Sequence, residues 1–216
     1  MSQTADLGFL HRFVPASDPA KPTLLLLHGT GGNEDDLLPL GHEIAQGAAL
    51  LSPRGQVLEN GMPRFFRRLA EGVFDQQDLT LRTGQLRTFI KNAEEAYGLP
   101  QQKLTAVGFS NGANIAASLL LRYPDALAGA ILIRAMVPFI PEPVPDLLQK
   151  PILLLSGTAD SIVPPENTQA LHDLLRSSGA NVQLHWERAG HGLTKGDLTA
   201  AQTWLAEHFP EGSRAF

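Results

Sequence analysis

Short runs of Leu, Ile and Val, bounded by turn residues, recur along the chain and alternate with longer stretches of helical periodicity. Runs that are apolar at every position suit strands buried on both faces. They fall at residues 23–27, 48–51, 104–108, 130–133, 152–156 and 182–186, with 8–14 as a weaker, antiparallel edge strand. Helices are predicted at 35–46, 111–122, 165–177 and 195–208. A further helix carries Leu86, Phe89, Ile90, Ala93, Ala96 and Tyr97 on one face and stops at Gly98-Leu99-Pro100. This alternation predicts an α/β fold, a mostly parallel central sheet with helices on both faces.

Two segments break the alternation. Residues 52–77 read as a long loop holding Gly55, Gly61 and Gly72 together with Met62, Phe65, Phe66 and Phe74. Residues 135–150 carry Pro138, Pro141, Pro143 and Pro145, which excludes a regular helix or a central strand. Long loops in a compact domain are either binding-site walls or plain surface connections, and the pattern leaves both readings open.

Length and composition narrow the class. With 216 residues, no internal repeat and no linker, residues 1–216 read as one domain, with no room for a large cap domain. No apolar run approaches the roughly 18 residues of a membrane span. A net charge of −5 gives no electrostatic footprint for nucleic acid. The densest basic stretch, residues 64–68, reads as a solvated loop rather than an anion site. The absence of cysteine excludes disulfides, thiolate nucleophiles and thiolate zinc sites. Residues 1–10 show neither a basic nor an apolar leader region, so a cytoplasmic location is the expectation.

The chemistry begins at Gly108-Phe109-Ser110-Asn111-Gly112, a G-x-S-x-G match between a predicted strand and a predicted helix. That is the setting of a nucleophile elbow, where side chains at positions 108 and 112 would collide. A serine hydroxyl needs a base to take its proton. His191, in Ala189-Gly190-His191-Gly192, follows the last predicted strand at a carboxyl strand end, where open α/β sheets build their sites. An imidazole base needs a carboxylate to fix its tautomer. Asp160 follows the strand 152–156, although a turn-capping role would also suit it. The order Ser110, Asp160, His191 is the Ser…Asp…His order of α/β hydrolases.

An oxyanion hole must complete such a site. His28-Gly29-Thr30-Gly31-Gly32 follows the strand 23–27, so the expected donors are the backbone N–H groups of Thr30 and Asn111. Because the donors are backbone groups, side-chain identity at 30 and 111 is expected to matter less than turn geometry. His28 reads as a structural hydrogen-bonder. Phe65, Phe66, Phe74 and Met136 are the candidate substrate-pocket residues, giving apolar walls that favour short- to medium-chain acyl or aryl esters over charged substrates. The mechanism calls for no metal and no cofactor.

With these residues in hand, the chain resembles the phospholipase/carboxylesterase family of α/β hydrolases, small esterases related to acyl-protein thioesterases. The resemblance is carried by LHGTGGNEDDLLPL, GFSNGANIAASLL, ILLLSGTADSIVP and AGHGLTKGDL, joined by PRG…NGMPRFFRRLAEGVFDQQDL. It implies an α/β-hydrolase fold, a Ser110–His191–Asp160 triad, oxyanion donors at Thr30 and Asn111, and a small-molecule ester substrate. GFSNGAN is most similar to the bacterial carboxylesterase branch; the thioesterase branch more often has glutamine where this chain has Asn111. Thioesterase or lysophospholipase activity on the same site, and a non-catalytic ligand-binding role, are the alternatives. Relatives in this family are often dimers, which leaves a homodimer open.

Overall fold

Described here is a computed structural model, which covers residues 7–100 and 104–209. Part of the leader expectation, residues 1–6, lies outside it. The strands that are mostly apolar form the interior of a seven-stranded sheet. In chain order the elements are β1 (His11–Val14), β2 (Thr23–Leu27), α1 (Leu38–Ile44) and β3 (Leu50–Pro53). Then come β4 (Val57–Glu59), β5 (Met62–Arg64), β6 (Arg68–Ala70), β7 (Val73–Phe74) and α2 (Gln76–Tyr97). They are followed by β8 (Leu104–Phe109), α3 (Asn111–Arg122), β9 (Gly129–Ile133), β10 (Pro151–Gly157), α4 (Pro165–Ser177), β11 (Asn181–Glu187) and α5 (Lys195–His208).

The large sheet runs β1-β3-β2-β8-β9-β10-β11, and only β1 is antiparallel to its neighbour. Within β2, Leu25 and Leu27 pack on the side of α2, α3 and α4, whereas Leu24 and Leu26 face α1 and α5. Side chains alternate across a strand, so a strand covered on both faces reads as a continuous apolar run, here Leu24 to Leu27 after a buried Thr23. The parallel strands β2, β8, β10 and β11 all end at the same sheet edge, and the loops that follow them carry residues 28–32, 110, 158–164 and 188–194.

The helices follow their signals. Asp75 caps α2 by accepting the Asp78 N–H, and Gly98 closes it in the left-handed region at φ 61°. Ala96, placed on the buried face by periodicity, is exposed, while Leu79 and Thr83 extend that face toward the N-terminus. The reading of residues 52–77 as a loop is corrected: they contain two small antiparallel hairpins, β4–β5 and β6–β7. Asn60 and Gly61, both at positive φ, make the two-residue turn of the first hairpin. Between β9 and β10 the proline-bearing segment has no regular element. It is held by side-chain amides: Asn114 Oδ1 accepts Met136 N–H at 2.7 Å and Asn167 Oδ1 accepts Val137 N–H at 2.8 Å. Among the described residues no helix is long and apolar enough to cross a membrane.

Candidate active site

The strand-to-helix turn between β8 and α3 places Ser110 at φ 51°, ψ −113°, a backbone conformation L-residues avoid. Two glycines permit it, for different reasons. A Cβ on Gly108 would lie 2.7 Å from the Ala113 backbone across the turn. One on Gly112 would overlap the Leu27 carbonyl, because α3 presses against the end of β2. The two positions do crowd one another, as the motif suggested, since a Cβ on Gly108 would also lie 2.7 Å from the Gly112 carbonyl oxygen; the Cβ of Gly112 itself meets the end of β2.

His191, after β11, and Asp160, after β10, converge on this serine. The Ser110 hydroxyl donates to His191 Nε2 at 2.9 Å, and His191 Nδ1–H donates to Asp160 Oδ2 at 2.8 Å. Asp160 is only 7% exposed. Burial by itself would raise its carboxyl, but the N–H groups of Ile162 and Val163, at 2.8 and 3.0 Å, and the His191 ring outweigh it. The carboxyl is held below its ordinary value and so stays ionised beside the imidazole. Asp160 thus does cap the turn at 160–163, through Oδ1, while Oδ2 meets the histidine; the two readings of this residue are compatible.

Thr30 and Asn111 flank the serine, and the N–H of neither has an acceptor among the described contacts. Asn111 opens α3, where such unpaired N–H groups and the helix dipole favour negative charge. The expectation that side chains at these positions matter little is corrected. Thr30 Oγ1 accepts from Arg64 Nη1 at 2.8 Å, and Asn111 Oδ1 accepts from Phe65 N–H at 2.7 Å. Gly31 N–H donates to the Pro63 carbonyl at 2.9 Å. The β4–β5 hairpin and the residue after it therefore brace both positions. His28 lies beneath: its Nδ1–H donates to the Gly29 carbonyl at 2.6 Å and its Nε2 accepts Gly55 N–H at 2.9 Å. Both ring nitrogens are committed to structure.

The site opens into a cleft of about 320 Å³ lined by Ser110, His191, Phe74, Met136, Ile162 and Val163, among others. Phe74 and Met136 are in its wall. Phe65 and Phe66 are not: at 2% and 0% exposure they belong to the core under α2, and their expected pocket role is corrected. Phe66 instead packs edge-on against Phe74, with ring centroids 5.1 Å apart, and supports that ring from behind. Nor are the walls simply apolar, since Arg64, Arg68, Arg134 and Glu71 also line the cleft. The solvated-loop reading of residues 64–68 fails at Arg64, which is 3% exposed.

Arg134 was missed by sequence reasoning. It follows β9 at φ 56°, is fully buried, and forms a bidentate pair with Asp197 at 3.0 and 2.7 Å. The same guanidinium donates to the carbonyls of Gly190 (3.2 Å) and Gly192 (2.9 Å), the neighbours of His191. Asp197 in turn caps α5 through a reciprocal box with Thr194. A [ST]-x-x-[DE] signal at 194–197 was present in the sequence; the partner, 63 positions away, was not.

Comparison with known proteins places this geometry among characterised folds. A family model described as Phospholipase/Carboxylesterase matches residues 11–209. MhqD of Bacillus subtilis (strain 168), named as a hydrolase, is 50% identical over 85% of this chain and 92% of its own. The crystal structure of the Bacillus cereus carboxylesterase superposes with a TM-score of 0.91 at 48% identity, covering 93% of this chain and 94% of that one. The structure of YahD with malic acid gives a TM-score of 0.88 at 31% identity, covering 93% and 99%.

Proposed function

The chain belongs to the phospholipase/carboxylesterase family, a family of hydrolases, and from that premise we propose that it is a serine carboxylesterase acting on small esters through Ser110, His191 and Asp160. The observation that carries the proposal is the continuous hydrogen-bonded chain from Asp160 through His191 to Ser110, at 2.8 and 2.9 Å. His191 Nε2 takes the hydroxyl proton as Oγ attacks the ester carbonyl. Asp160, ionised, stabilises the imidazolium that forms. The N–H groups of Thr30 and Asn111 receive the tetrahedral oxyanion; removing one such donor costs roughly 10²–10³ in turnover. The alcohol leaves with the proton from His191. Water then repeats the sequence on the acyl-enzyme to release the acid and restore Ser110.

A cleft of about 320 Å³ is at the small end of ligand sites and favours short acyl or aryl esters over long chains. Malic acid in the YahD structure is a reason to include carboxylate-bearing compounds among the substrates tried. The proposal is tested with a fluorophosphonate probe and p-nitrophenyl esters from acetate to laurate, with matched thioesters. The expected result is one adduct on Ser110, abolished in Ser110→Ala, and turnover that falls with chain length. Faster turnover of thioesters would make the protein a thioesterase on the same residues. Labelling of Ser110→Ala to the wild-type extent would refute the assignment.

A further inference from the structure

The arginines of the cleft are not alike. Arg134 is saturated, with a full carboxylate and two carbonyls. Arg64 is as deeply placed, yet its hydrogen bonds go to neutral acceptors, the Phe66 carbonyl at 3.2 Å and the Thr30 hydroxyl at 2.8 Å. Its one carboxylate neighbour is Glu59, whose Oε2 lies 3.1 Å from Nε without hydrogen-bond alignment. The other oxygen of Glu59 is taken by Arg68, at 2.9 Å from Nε and 2.8 Å from Nη2. Two guanidinium groups thus share one carboxylate on one wall of the cleft. Glu71, also in the lining, is exposed and pairs with neither arginine among the described contacts. A hydrated carboxylate at the mouth compensates a desolvated cation poorly.

We propose that Arg64 and Arg68 form an anion subsite beside Ser110, and that the esters this protein hydrolyses carry a carboxylate. The proposal rests on the esterase reading of the site and adds the class of substrate. A buried guanidinium stays charged, and a cation left short of counter-charge is costly. Burial is the main influence on the Arg64 guanidinium and pulls it below its ordinary value, the mark of a cation that its surroundings do not fully repay. A ligand carboxylate supplies the missing charge. The Nη2 group of Arg64 and the Nη1 group of Arg68 have no acceptor among the described contacts, and both residues line the cleft. Such planar donors match a carboxylate in geometry as well as sign. One surplus positive charge fits a monoanion. Through Thr30, the subsite adjoins the oxyanion donors, so the carboxylate lies close to the scissile ester, as it must in a cleft this small.

Two matched pairs of esters test the proposal. Monomethyl and dimethyl succinate differ by a carboxylate on the acyl side; 4-acetoxybenzoate and its methyl ester differ by one on the alcohol side. In at least one pair, kcat/KM for the anionic member is expected to exceed that of the neutral member by about tenfold or more, the effect of a charge-assisted hydrogen bond. The ratio should shrink toward unity in Arg64→Gln and in Arg68→Gln, and should fall with rising salt. A role confined to holding Thr30 would lower both members alike and leave the ratio unchanged, which overturns the proposal. So does a wild-type preference for the neutral member in both pairs. Should Arg64→Gln fail to fold, Arg68→Gln, altered at a partly exposed side chain, carries the same test. Calorimetric titration with butyrate, a monoanion, needs no turnover: binding that is lost in Arg68→Gln supports the subsite, and no binding counts against it. Hydrolysis of neutral esters without an anionic preference sinks the subsite alone, whereas no turnover of any ester and no Ser110 adduct sinks the esterase reading.

Discussion

Arg134 and Asp197 form a bidentate ion pair with bonds of 3.0 and 2.7 Å, and neither side chain is more than 1% exposed. Through that pair the end of β9 is joined to the start of α5, and Arg134 also holds the carbonyls of Gly190 and Gly192, the residues flanking His191. A buried pair of this kind adds little net stability over an apolar substitute, but breaking it from one side strands a charge. Its use here is positional: it anchors the carbonyls of Gly190 and Gly192, the neighbours of His191.

Asp197→Ala should therefore destabilise the protein by about 3–5 kcal/mol in urea denaturation, because Arg134 is left buried without a counter-charge. In the fraction that folds, kcat should fall more than KM rises, since the His191 loop is loosened while the cleft is retained. Unchanged kcat in folded Asp197→Ala would show that the His191 loop holds its position unaided.

Asp160→Asn keeps the shape of the site and removes the acceptor that selects the His191 tautomer. Turnover should drop by about 10⁴-fold with little change in KM, as expected where the imidazole is left in the wrong tautomer. A loss under about tenfold would mean that the 2.8 Å contact between His191 and Asp160 is incidental to the chemistry.

Gly112→Ala places a methyl group on the Leu27 carbonyl, and neither β2 nor α3 can move without disturbing the sheet. The expected cost is about 3 kcal/mol or more, seen as loss of soluble folded protein or a lowered Tm. The reverse control is Gly61→Asn, in a turn where a Cβ meets nothing within 4 Å and asparagine tolerates the positive φ; it should change Tm very little.

The pH dependence of stability has a definite sign. His28 is held neutral, mainly by burial, and its pKa lies below the ordinary 6.5. On acidification the unfolded chain takes this proton first, so the contribution is complete above about 6.5 and is lost as pH falls toward the folded value. Asp160 acts in the same direction in a lower window: its contribution is present above the ordinary carboxyl value and lost as pH falls through the depressed one. Tm should decline as pH falls below about 6.5, and His28→Gln should flatten that part of the profile. A profile as steep in the variant as in the wild type would remove His28 from the account.

What could be read from the sequence was whatever depends on local periodicity or on backbone chemistry. The strand at 23–27 and the helices at 111–122, 165–177 and 195–208 fall where the pattern puts them, because an apolar run covered on both faces, or an apolar stripe at helical spacing, has few other places to go. Ser110, His191 and Asp160 were legible as candidates because each follows an apolar run at a strand end. The two hairpins in 52–77 were overlooked although Asn60-Gly61 is a strong turn signal, since each strand is only two or three residues long. Phe65 and Phe66 were misplaced because aromatic residues in a loop look the same whether they face a cleft or the core. Arg64 and Arg134 were invisible for a different reason: a charged residue reads as solvent-facing until the distant groups that surround it are known.

The excursion from residue 54 to 75 is stitched to the nucleophile's surroundings by backbone as well as side chain, at Pro63, Arg64 and Phe65. Anything that reshapes this appendage moves the cleft wall and the peptide groups at Thr30 and Asn111 in the same stroke. On the proposed esterase reading, specificity and rate are thus mechanically linked. Transplanting the appendage between homologues, as one piece, is the route by which both would be exchanged together.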